Sequence, residues 1–137
     1  MSESSKIEGI ISISSKCVVE QELYGLRSSM ISNLGKLGFP LAEGYFISSG
    51  FIRKLIEGGS PPKFPKTLLN GVPLCLRSSP QRREWRGPEA LLYLGLNRSK
   101  LGLLTNITSE RLSKFMYLEH VKNFGVKVIS LSRFIAQ

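Results

Sequence analysis

Apolar side chains recur along this chain in two rhythms, one of helices and one of strands, separated by glycine- and proline-rich breaks. Ile10, Ile11 and Ile13 form a β-branched cluster that suits a pleated surface and predicts a short strand. From Ser28 to Leu37 the apolar positions Met30, Ile31, Leu34 and Leu37 come at helical spacing. Ser28 is placed to cap that helix, Gly38 to stop it, and Pro40 cannot continue it. Tyr45–Ser48 predicts a second strand. Ser48 or Ser49 can cap the next helix, in which Phe51, Ile52, Leu55 and Ile56 share a face before Gly58-Gly59 ends it. The segment SPPKFPK (60–66) holds three of the seven prolines and is expected to be a loop.

Val72–Leu76 is unbroken in its apolar character and predicts a buried strand, followed by a polar, basic loop over 77–88. Leu91–Leu96 reads as a strand or a helix turn. Thr108 is placed to cap the longest helix, Ser109 to about Asn123, with Glu110 near its positive end. Val126–Ile129 is a further strand candidate, Leu131–Gln137 a terminal helical turn or more, and the Ser-rich residues 1–8 a frayed start. There is no internal repeat. With 137 residues the chain has room for one domain. The expected class is therefore α/β or α+β: one mixed-sheet domain with packed helices, over residues 9–137.

Composition narrows the function. No apolar run approaches the ~20 residues that span a bilayer, and Glu3 and Glu8 stand where a secretory leader would be basic. The chain is expected in the cytoplasm. Nineteen Lys and Arg against ten acidic residues give +9, a surplus that attracts phosphates, nucleic acid or acidic surfaces. All ten acids are Glu, so any carboxylate chemistry must use one of them. Only Cys17, Cys75 and His120 offer soft metal donors, too few for a zinc site. The two thiols are expected to be small buried apolar residues, unpaired, and His120 a surface or half-buried helix residue.

The charge concentrates between Pro61 and Lys100, where eight basic residues face only Glu84 and Glu89. At its centre Arg77-Ser78-Ser79 ends an apolar strand, a place where open sheets bind ligands and where a guanidinium fork and two hydroxyls suit phosphate oxygens. A plainly solvated basic loop is the alternative. Gly25-Leu26-Arg27-Ser28 is a second candidate, a glycine and a cation at a helix start whose N–H groups can take an anion. Trp85 lies between Arg83 and Arg86, either stacking bases or anchoring the loop on the core.

Taken in order, these segments resemble the N-terminal region of the pyruvate phosphate dikinase and phosphoenolpyruvate synthase family. Leu23-Tyr24-Gly25-Leu26-Arg27-Ser28, Leu37-Gly38-Phe39-Pro40 and Gly44-Tyr45-Phe46 are similar to its Gly-Gly-Lys-Gly turn, helix, Leu-Gly-hydrophobic-Pro step and Gly-Phe. Leu76-Arg77-Ser78-Ser79 resembles its strand ending in Val-Arg-Ser-Gly or Val-Arg-Ser-Ser, and Leu92-Tyr93-Leu94-Gly95-Leu96-Asn97 its Leu-Asn-Leu-Gly-Leu-Asn. Ser132-Arg133-Phe134-Ile135 is similar to a later Tyr-Arg-Arg-Phe-Ile segment, so the likeness runs over about residues 9–137.

The resemblance implies the first lobe of an ATP-grasp domain binding ATP, with Mg2+ accompanying the nucleotide. Arg77 and Arg27 would meet the phosphates, Ser78 and Ser79 would support them, and Glu89 falls where the family carries an acid. Arg27 replaces a lysine, Leu26 and Ser28 replace the flanking glycines, and Arg83-Glu84-Trp85-Arg86 replaces a Ser-Met-Pro-Gly loop. Within these residues there is no likeness to the family's second ATP lobe, its phosphohistidine domain or its pyruvate barrel. Binding without independent turnover is the expectation; a split dikinase completed by a partner chain and a basic nucleic-acid-binding module are the alternatives.

Overall fold

The computed structural model describes residues 9–14, 17–64, 73–85, 87 and 89–129. In chain order it runs β1 (Ile10–Ser12), α1 (Gln21–Lys36), β2 (Tyr45–Ile47), α2 (Ser49–Ile56), β3 (Leu74–Leu76), β4 (Leu91–Leu94), α3 (Arg98–Ile107), α4 (Glu110–Phe124) and a π-helical turn, Gly125–Ile129. Helices and antiparallel strands make this an α+β chain. Among the described residues the strands form two separate antiparallel pairs, β1 with β2 and β3 with β4, where one mixed sheet was expected. Two compact units result: Met1–Phe64 with Ser79–Gly87, and Pro65–Ser78 with Pro88–Gln137.

In the first unit, β1 and β2 pair Ile10 with Ile47, Ile11 with Phe46 and Ser12 with Tyr45. Ile10, Phe46 and Val19 form its buried apolar centre. Ser48 follows β2 and caps α2 as expected, its hydroxyl accepting from Phe51 N–H at 3.2 Å. Gly38, at φ 87°, ends α1 in the left-handed conformation that residues with a Cβ avoid.

Two expectations about α1 fail. One helical run begins at Gln21 and a second at Leu26, after the non-helical Gly25, so Ser28 lies inside the second run and does not cap it. Its buried face is Gly25, Ser28 and Ser32, while Met30, Leu34 and Leu37 are exposed. Small residues at this spacing let a neighbouring backbone approach closely, and that contact decides which face turns inward.

In the second unit, Leu74 pairs with Leu94 and Leu76 with Leu91, so one more residue lies between the pairs on β4 than on β3. Tyr93 takes up this β-bulge at φ 58°. The strand expected to be buried is not: Cys75 and Leu76 are exposed, because a two-stranded ribbon has two faces and few elements to cover them. Helix α3 has no counterpart among the elements the pattern predicts; Asn97 caps it, accepting from Lys100 N–H at 3.0 Å. The cap of α4 is Ser109, which accepts from Leu112 N–H at 3.2 Å, whereas Thr108 closes α3 by donating to the Leu104 carbonyl at 2.8 Å.

Where α3 and α4 meet, the Thr105 hydroxyl lies 2.8 Å from the fully buried Ser113 hydroxyl. Val126–Ile129 is not a strand but continues α4 as a π turn, with Gly125 helical at φ −57° and ψ −46°. A strand there would need an edge to pair with, whereas helical bonds are satisfied locally. Residues 1–8, Val72 and Leu131–Gln137 lie outside the described residues.

Candidate functional site

Helix α1 is two helical runs joined at Gly25, whose φ of 82° and ψ of 165° are not helical. Leu26 therefore starts a fresh helix, and its first N–H groups need acceptors from outside that helix. Gly25 stands where the capping side chain belongs and has none. A segment 51 residues further on supplies it: Ser79 Oγ accepts from Ser28 N–H at 3.0 Å. The Pro80 carbonyl accepts from Leu26 N–H at 2.9 Å. Ser28 Oγ donates to the same Ser79 oxygen at 3.1 Å, so the Ser79 proton is directed away from Ser28.

This approach explains the glycine. A Cβ at Gly25 would fall 1.7 Å from the Ser79 carbonyl oxygen and 2.6 Å from its hydroxyl. The contact is laced further by Gln21 Nε2, which donates to the Gln81 carbonyl at 2.9 Å, and by Gln81 Nε2, which donates to the Glu22 carbonyl.

Of the residues singled out from sequence, the structure joins Ser28 and Ser79 directly, with Gly25 beneath them and Arg27 beside them, exposed on the new helix start. Arg77, exposed, and Ser78, half-buried, belong to the second unit. Glu89 makes a local ion pair with Lys127 at 3.0 Å, and Lys127 also donates to the Ala90 carbonyl at 3.1 Å. Gln21, Pro80 and Gln81 were not expected to take part, and nothing in their sequence spacing marks them.

Beside the new helix start lies an open depression of roughly 580 Å³, lined by Gln21, Leu26, Gln81, Arg82, Arg83, Glu84 and Trp85. Trp85 N–H donates to the Arg82 carbonyl at 3.2 Å, closing a tight turn, and the Arg82 guanidinium sits 5.5 Å from the indole centroid. Trp85 is 53% exposed, so it does not anchor the loop on the core. A loop this short, tied at its base to α1, presents the ring outward.

The phenol of Tyr24, one residue before the kink, is pushed above its ordinary 10.0 by burial, then by the neighbouring Glu20 and Cys17. Cys17 and Cys75 are free thiols, half-buried and exposed respectively, where both were expected to be buried. His120 is half-buried on α4, its ring 3.4 Å from the Leu92 carbonyl. Among the described residues no three of His, Cys, Asp and Glu gather into a metal site, and no helix is long and apolar enough to cross a membrane. Comparison with known families, curated proteins and solved structures finds no match.

Proposed function

We propose that this chain binds the phosphate chain of a nucleotide, ATP in the first instance, as a partial ATP-grasp domain of the dikinase type. The carrying observation is the seat of Ser79 on the Gly25 turn, which joins two sequence segments the resemblance assigns to one phosphate site. Ser79 spends both acceptor positions on Ser28, and its own O–H remains a donor for a phosphate oxygen. Arg27 adds charge at the positive end of the new helix, and Arg77 and Ser78, which directly precede Ser79 in the sequence, are the further donors that the resemblance assigns. Glu89 stands where the resemblance places an acid, and it pairs with Lys127. Any Mg2+ of this reading accompanies the nucleotide.

On this reading the chain binds and does not turn over by itself, because phosphoryl transfer needs several cations converging on one phosphate. The cytoplasm, where ATP is abundant and free thiols persist, is its place. Millimolar ATP or tripolyphosphate should raise the melting temperature saturably, and Arg77→Ala should weaken binding about tenfold, as expected for a charge-assisted bond. No shift with either ligand, or an unchanged Arg77→Ala, rejects the proposal.

A second reading has its own observation. Leu103, Ile107, Leu112, Phe115 and Leu118 are exposed on α3 and α4, more apolar surface than two helices ordinarily leave bare. A partner chain carrying the remaining dikinase lobes would cover it. Co-purification with a protein bearing those lobes supports this reading; a monomer that ignores such a protein, added purified, rejects it.

A further inference from the structure

We infer that the Trp85 depression binds single-stranded nucleic acid, stacking a base on the indole and holding the adjoining phosphates with Arg82 and Arg83. This inference places its ligand contacts on residues other than those of the ATP reading, since neither Arg77 nor the Ser28–Ser79 pair touches the base or its phosphates.

Three observations carry it. The first is that Trp85 exposes half its surface at the rim of a concave site, where burial of a large aromatic would ordinarily be favourable. The Arg82 guanidinium covers the ring, giving a cation–aromatic pair on which a base can continue the stack. The second is preorganisation. Trp85 N–H closes the turn on Arg82, and the residues before that turn are bonded to α1 through Leu26, Gln21 and Gln81, so the platform is ordered before a ligand arrives. The third is shape and charge. The depression is open, whereas sites for small molecules enclose most of their ligand. Arg82 and Arg83 outweigh Glu84 locally, and the chain carries +9 overall.

A polymer suits an open, mildly cationic surface because it gains from several shallow contacts at once. A duplex keeps its bases stacked on one another and offers none to the indole, so the strand must be single. Base identity is not read, since every base has a face to stack.

The test uses the full chain and a labelled dodecamer of thymidylate, read by anisotropy, together with the fluorescence of Trp85, the sole tryptophan. The dodecamer should bind and quench Trp85. Trp85→Leu should weaken binding about fivefold or more, with Trp85→Phe between it and the parent. Arg83→Gln should lower the slope of log affinity against log salt by about 0.7, the share of one phosphate on a single strand. Binding without quenching, a duplex that binds and quenches equally, or polyglutamate that competes as well as the dodecamer, each overturns the inference. So does a Trp85→Leu variant that melts like the parent and binds unchanged. If only ATP and tripolyphosphate bind, the stacking site falls and the phosphate reading stands.

Discussion

Ser79→Ala tests whether the start of a helix is completed by a residue 51 positions away. The substitution removes one oxygen and leaves the backbone of residue 79 intact, so the Pro80 bond to Leu26 N–H is kept. Loss of a capping oxygen costs about 1 kcal/mol. Ser28 is only 7% exposed, and its hydroxyl loses the same acceptor. A hydroxyl stranded in that setting adds about 1 kcal/mol more. The sum, about 2 kcal/mol, corresponds to a fall in melting temperature of roughly 8 °C for a domain near this size.

Trp85 lies in the same unit as the substitution, and as the sole tryptophan its fluorescence reports that unit even if the second melts separately. Urea titration of the parent, Ser79→Ala, Ser28→Ala and the double variant closes a cycle, in which a coupling of about 1 kcal/mol is expected. A Ser79→Ala variant within about 2 °C of the parent would refute the trans-cap, as would strictly additive single effects.

Other substitutions probe neighbouring links. Gly25→Ala should be more damaging than Ser79→Ala, since the new Cβ meets a backbone carbonyl at 1.7 Å and must also adopt φ 82°; the urea midpoint followed by Trp85 fluorescence gives the order, and a milder Gly25→Ala overturns it. For Tyr24 the sign is set by a phenol held above 10.0 in the folded chain. Below that pH its proton is on in both states; above it the unfolded chain ionises first, so stability falls as pH rises through the folded value. Tyr24→Phe should therefore flatten the loss of stability as pH rises past 10.0, measured by urea midpoints.

The basic loop and the α1 turn connect stability to binding. The residues that close the helix start, Ser79 to Gln81, run directly into the turn that displays Arg82 and Trp85. Weakening the cap should loosen the platform, so Ser79→Ala should lower oligonucleotide affinity without touching the indole. Unaltered affinity would mean that the turn holds its shape unaided.

Where bonding is local, the sequence by itself determined the outcome. Ile10 and Ile11 in a strand, Ser48 as the cap of α2, Gly38 at the end of α1 and Glu110 in the first turn of α4 all depend on residues a few positions away. Val126–Ile129 went the other way, because β-branched residues favour a strand only when an edge stands ready to pair with them.

The site divides along the same line. A glycine and a cation before a helix, and a serine pair after a strand, were visible as types. Only the tertiary structure decided that Ser79 caps the helix that Gly25 opens, that Ser28 and Ser32 are buried in place of Met30 and Leu34, and that Glu89 is held by Lys127. Such pairings join residues tens of positions apart, and their free energy exists only once the chain between them has closed, so no local pattern can encode it.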